Sequence, residues 1–141
     1  MHFTIEELYA SETAKAKGID NKPSVREIIC LVYLAAYVLE PLRTAMGVPI
    51  RVSSGYRCER LNKAVGGVSN SQHCKGQAAD LDISGDMAKG RRWFEWIRTH
   101  CEFDQLIWEH NSKGVYWIHV SYVAPAYGRN RKQVIDNLLK K

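Results

Sequence analysis

The sequence has no CxxC pair among its four cysteines, which stand at positions 30, 58, 74 and 101. That spacing excludes a structural zinc ribbon and offers no compact disulfide framework. Cys30 lies inside an apolar run at helical spacing, the setting of a small buried hydrophobe. Free thiols and synthesis in a reducing compartment, the cytoplasm, are the expectation. The longest apolar run is broken by Arg26, Glu27, Glu40 and Arg43, so no membrane insertion is predicted. Met1-His2-Phe3-Thr4-Ile5-Glu6-Glu7 lacks the basic start and apolar stretch of a signal peptide. The chain has no internal repeat, no low-complexity segment and no linker, which predicts one domain over residues 1–141. No basic stripe interleaved with aromatics runs along it, so nucleic acid is not an expected partner.

What is there reads as an ordinary globular chain. Hydrophobic residues make up 45% and charged residues 25%, enough at this length for a core without staples. The net charge of +5 favours anionic partners, or else it simply describes a solvated surface, because the lysines and arginines are spread out. Arg129, Arg131, Lys132, Lys140 and Lys141 form the one local basic concentration. A monomer is expected.

Ser24-Val25-Arg26-Glu27 has the form of a capping box. The apolar face behind it, from Ile28 to Leu42, predicts the central helix of the core, kinked or ended by Pro41. A shorter helix is predicted near Thr4 to Leu8. A short strand is predicted at Ile50 to Ser53, then a helix from Arg57 to Ala64 stopped by Gly66-Gly67. Ala79 to Ile83 alternates apolar and polar and reads as a half-buried strand. Asp86 to about Cys101 reads as an amphipathic helix with Trp93, Phe94 and Ile97 inward. Phe103 to Glu109 and Val115 to Tyr122 read as a hairpin around Asn111-Ser112-Lys113-Gly114. Asn130 to Leu139 is predicted to close the chain as a helix. Together these predict an α+β fold: a small, mostly antiparallel sheet with helices packed on it.

Two segments carry chemistry: Ser71-Gln72-His73-Cys74-Lys75-Gly76-Gln77-Ala78-Ala79-Asp80 and Trp117-Ile118-His119-Val120-Ser121. Strand parity turns Ala79, Leu81 and Ile83 one way and Asp80 and Asp82 the other. It likewise separates Ile118 and Val120 from Trp117, His119 and Ser121. Asp80 and His119 can therefore share the open face of one sheet. Gly76 permits the sharp turn that folds His73 back over Asp80. Two imidazoles and one carboxylate are ligands that Zn²⁺ accepts in sites keeping a fourth position for water. Taken singly, each of these residues is more ordinary: a polar histidine on a sheet face, an aspartate in a turn or ion pair. Only their spacing and parity together point to a metal. His100 and His110 carry no motif and read as surface residues.

The blocks Ser53-Ser54-Gly55-Tyr56-Arg57, Leu61-Asn62, Val65-Gly66-Gly67, Ser71-Gln72-His73 with Gly76, Ala78 and Asp80, and Trp117-Ile118-His119-Val120-Ser121 resemble the zinc D-alanyl-D-alanine carboxypeptidase family of metallopeptidases. The likeness runs over roughly residues 20 to 125 and is nearest to the branch of small, single-domain enzymes. It implies the fold shared with the zinc-binding hedgehog signalling domain. It implies His73, Asp80 and His119 as ligands of zinc, and cleavage of peptide bonds in bacterial peptidoglycan by bacterial or phage-encoded enzymes. By the same match Arg57 is the substrate-binding arginine. A guanidinium can grip a terminal carboxylate through two parallel hydrogen bonds, or polarise the scissile carbonyl; a structural salt bridge is its plain alternative. Ser71, Gln105 and Trp117 are further expected substrate contacts, and Trp108 and Tyr56 could line the cleft or fill the core.

One position departs from the pattern. Several relatives place a general base three residues before the last histidine ligand, where this chain has Tyr116, a poor base. Glu109 is the expected replacement, provided that the hairpin register turns Gln105 and Glu109 to the zinc face. Asp82 is the next candidate, or else a residue that orients a ligand. The expected activity is that of a D-alanyl-D-alanine carboxypeptidase. An endopeptidase of the phage-lysin kind, or a zinc-stabilised wall-binding module without turnover, are the alternatives. A substrate outside the membrane and a chain with no evident export signal together imply action at the cell wall after phage-type release.

Overall fold

The computed structural model describes residues 1–137. Helix α1 covers Glu12–Lys17, and Ser11 caps it by accepting from the Ala14 N–H at 3.1 Å. Before it, Glu6–Leu8 form one short 3₁₀ turn, where a helix was predicted. The central helix begins where its capping box predicts: the Ser24 N–H donates to the Glu27 carboxylate at 3.0 Å. It runs as α2 (Val25–Leu34), a π-helical turn (Ala35–Leu39) and α3 (Glu40–Met46).

Pro41 therefore does not end the helix. It has no N–H to give, and its ring would press on the carbonyl one turn back. The chain widens that turn instead: the Glu40 N–H donates to the Ala35 carbonyl, and the helix continues to Met46. The run Val25–Met46 is long and apolar enough to cross a membrane by length and composition. In the fold, its Leu31, Leu34, Val38, Leu39 and Leu42 are buried in the core.

The sheet contains β1 (Arg51–Ser54), β2 (Ala78–Asp82), β3 (Gln105–His110), β4 (Tyr116–Ser121) and β5 (Gln133–Asp136), in the order β1-β2-β4-β3-β5. Every pairing is antiparallel except β3 with β5. Among the described residues two further α-helices follow: α4 (Glu59–Ala64) between β1 and β2, and α5 (Met87–His100) between β2 and β3. The α+β class is as expected, with one parallel edge strand added. Parity sorts the strands as predicted. Ala79, Leu81, Leu106, Trp108, Ile118 and Val120 enter the core with Trp93, Phe94 and Ile97 of α5. Asp80, Gln105, Ile107, Glu109, Trp117 and His119 line a cleft on the other face.

The chain end corrects the sequence reading. The predicted helix over Asn130 to Leu139 is instead strand β5 at Gln133–Asp136; its last positions, 138–139, lie outside the described residues. The reason is tertiary. Strand β3 has an open edge, and ladder bonds there outweigh a weak local helix preference. Buried Asp104 fixes the approach: its carboxylate accepts from the Arg131 backbone N–H at 3.0 Å, Arg131 Nε at 2.9 Å, Arg131 Nη2 at 2.7 Å and Gln72 Nε2 at 3.0 Å. At the far end Asp136 takes a bidentate grip from Arg91, at 3.0 and 2.7 Å.

The hydrogen bonds from Arg131 hold the Asp104 carboxyl below its ordinary range, against the opposing effect of burial. A lowered native pKa means stability that is present above the unfolded value, about 3.9, and lost as pH falls through the native one. Asp104→Asn should cost about 2 kcal/mol at neutral pH. The gap to wild type should narrow as pH falls below about 4, which urea unfolding at neutral and acid pH would read.

Candidate metal centre and catalytic cleft

Strands β2 and β4 put Asp80 directly opposite His119. His73 comes from the 3₁₀ turn Gln72–Lys75, whose N–H at His73 is capped by the Ser71 hydroxyl at 3.1 Å. The turn closes at Gly76, with φ +72° and the Glu27 backbone packed where a side chain would go. No other residue fits both conditions. His73 Nε2 then lies 3.3 Å from Asp80 Oδ1, and His119 Nδ1 lies 3.1 Å from the same oxygen.

These three residues offer ligand atoms that all lie within 4.8 Å of one another. Metal–ligand bonds of about 2.0 Å in a tetrahedron put neighbouring ligand atoms roughly 3.3 Å apart. The two histidine–Asp80 separations of 3.1 and 3.3 Å match that edge and the third pair lies within 4.8 Å, an arrangement that could hold a zinc ion. Burial works against charge on Asp80, but hydrogen bonds and charge from His119 and His73 outweigh it and hold the carboxyl well below the usual range. It is an anion, as a ligand must be.

A feature invisible in the sequence orients His73. Its Nδ1 lies 2.7 Å from the Gly55 carbonyl oxygen, so Nδ1–H donates there and Nε2, which would give up its proton on binding a metal, faces Asp80. Gly55 belongs to the loop after β1, which follows an irregularity in the β1–β2 register between Val52 and Ser54. The same loop carries Arg57. Buried Asn21 grips it on both sides of that arginine, donating to the Tyr56 carbonyl at 3.0 Å and accepting from the Cys58 N–H at 2.7 Å. The Arg57 N–H donates to the His73 carbonyl at 3.0 Å, which joins the arginine loop to the ligand turn. No carboxylate among the described residues pairs with the Arg57 guanidinium, and its Nε is buried without a partner. A structural salt bridge is thus not its task.

Arg57, Ser71, His73, Asp80, Gln105, Glu109, Trp117 and His119 all line one cleft of about 740 Å³. The hairpin register settles the face of Glu109: Ile107 opposes His119 and Glu109 opposes Trp117, so both stand on the His119 side. Gln105 lies there too, its amide donating to Gln133 at 2.8 Å. Asp82 shares the parity but is occupied: it accepts from Arg51 Nη1 at 2.8 Å and from the Ser84 N–H at 2.7 Å, and it orients no ligand. Trp108 and Tyr56 are core residues, not cleft walls. Burial, with a smaller push from nearby Glu27, raises the Tyr56 phenol to about 12. His100 and His110 lie exposed. All four cysteines are free thiols.

The sequence profile of the Peptidase M15 family matches residues 1–121, most of the chain and every residue of the metal group. The chain belongs to the Peptidase M15 family. The zinc D-Ala-D-Ala carboxypeptidase of Streptomyces albus G is 52% identical over 44 residues, 30% of this chain. The matched stretch spans 17% of that relative's length. Residues after 121, including Arg131 at the cleft wall, fall outside the family match. The sequence offers no sign of that position beyond a local cluster of basic residues.

A methyl group at Gly55 would overlap the backbone carbonyl of Leu8. Gly55→Ala should therefore cost about 1–3 kcal/mol. By displacing the carbonyl that orients His73, it should also weaken metal affinity about 10–100-fold. Calorimetric zinc titration beside a thermal melt measures both; an unchanged affinity would remove the orienting role given to that carbonyl.

Proposed function

We propose that this M15 family member is a zinc metallopeptidase that hydrolyses bacterial peptidoglycan stem peptides as a D-alanyl-D-alanine carboxypeptidase. The whole chain forms one peptidase domain and acts at the cell wall. The observation that carries this reading is the His73–Asp80–His119 group sharing a cleft with an unpaired arginine and a carboxylate. The relative named a zinc D-Ala-D-Ala carboxypeptidase supports the same substrate.

His73, Asp80 and His119 hold the zinc ion, which when bound supplies Lewis acidity toward water and carbonyl oxygen. Arg57, held in place through Asn21, grips the terminal carboxylate with its planar fork or steadies negative charge on the scissile carbonyl oxygen. Glu109 accepts the proton of the attacking water and returns it to the leaving amine nitrogen. Trp117 and Gln105 border the bound peptide, while Ser71 positions His73 through the turn it caps. Glu109 stands in for the base whose usual place is taken by Tyr116.

A second reading has its own support. The cleft does not close at Arg57: a second cavity of about 510 Å³, lined by Glu7, Ser11, Glu12, Arg51 and Ser53, abuts it at Arg57 and Val65. A groove continuing past the arginine favours an endopeptidase that keeps chain on both sides of the cut. Digests of D-Ala-D-Ala-terminated peptides compared with intact sacculi discriminate the two.

His73→Ala should abolish both stoichiometric zinc binding and hydrolysis; turnover in the metal-stripped variant would refute the reading. Glu109→Gln should keep zinc yet lower kcat about 10²–10⁴-fold. Metal analysis beside steady-state kinetics separates that outcome from a binding module, in which neither substitution has turnover to lose.

A further inference from the structure

Arg57 and Arg131 reach the cleft from opposite edges of the sheet. Arg57 follows β1, Arg131 precedes β5, and the strand order β1-β2-β4-β3-β5 sets Asp80 and His119 on strands between them. Arg131 has a surface position, its side chain 60% exposed, but it is held rigidly. Buried Asp104 takes Nε and Nη2 along one edge of the guanidinium, at 2.9 and 2.7 Å. Arg131 Nη1 has no partner among the described residues. A guanidinium engaged along its Nε–Nη2 edge keeps its end-on Nη1–Nη2 fork for a second anion. Fixing the side chain in advance removes much of the ordering cost of binding such an anion. A role confined to anchoring the chain end would need neither a place on the cleft wall nor an open fork.

We propose that Arg131 is a specificity-determining residue that takes a second carboxylate of the peptide substrate, on the side of the metal group away from Arg57. The assignment rests on the peptidase reading above. It makes the preferred substrate a peptide with two anionic groups bracketing the scissile region, and it assigns one of them to a segment outside the family match.

The test uses the zinc-loaded 141-residue chain and two acetylated tetrapeptides ending in D-alanyl-D-alanine. One carries a glutamate upstream of that pair and the other a glutamine, and each upstream position is tried in turn. Binding is read by calorimetry and hydrolysis separately. At one position the glutamate peptide should bind about tenfold more tightly. Arg131→Gln should bring that ratio close to one. Arg131→Lys, which keeps the charge without the fork, should give an intermediate ratio. Equal affinities for both peptides at every position in the wild type overturn the proposal, as does a ratio that survives Arg131→Gln. Because the wild-type ratio needs no variant, loss of folding in Arg131→Gln leaves the assignment testable. A preserved ratio with no hydrolysis would refute the peptidase reading and leave the role of Arg131 standing.

Discussion

The pairing of Asp80 with His119 across two central antiparallel strands is the constraint on which the site depends. Directly opposed residues on one face are held at a separation set by the backbone ladder, not by side-chain preference. That ladder fixes two ligands before any metal arrives. The third, His73, is not fixed by the sheet. It needs a capped 3₁₀ turn, a glycine with φ +72° and a carbonyl from the loop after β1. A slip of one residue in β2 or β4 would turn one ligand into the core, so burial of Leu81, Ile118 and Val120 protects the metal group's geometry.

Arg57 depends on the same assembly. Its loop is tied to Asn21 on one side and to the His73 turn on the other. The His73 turn and the Arg57 loop are therefore coupled. The cost is a set of strict local demands: Gly55 pressed on Leu8, Gly76 pressed on Glu27, and a buried amide making three hydrogen bonds to the backbone.

Much of this was legible in the sequence where the period is short. The alternation at Ala79 to Ile83 gave the face of Asp80, and the hairpin gave the face of Glu109 once its register was known. The cap at Ser24 and the inward Trp93, Phe94 and Ile97 were readable for the same reason: each signal lies within one or two turns. The misreadings have one cause, a distant partner overriding local preference. Pro41 is not among them, since of the two expected outcomes, a kink or an end, only the end is ruled out: the helix passes through a π turn and runs on to Met46. Gln133–Asp136 become a strand because β3 offers an edge and Asp104 a clamp. The Gly55 carbonyl and the Asn21 amide act on residues 18 and more than 30 positions away, and no local pattern announces them. Asp82 looked available only because its partner Arg51 sits on another strand.

The strand order has a consequence for how such a protein could diversify. Asp80 and His119 stand on interior strands, walled in by ladder bonds on either side, whereas Arg57 and Arg131 lie beside the border strands. Border segments tolerate exchange and insertion far better than interior ones. Evolution can therefore change the cleft's cationic borders while the His–Asp–His group between them stays untouched, much as a lathe accepts new jaws on an unchanged spindle.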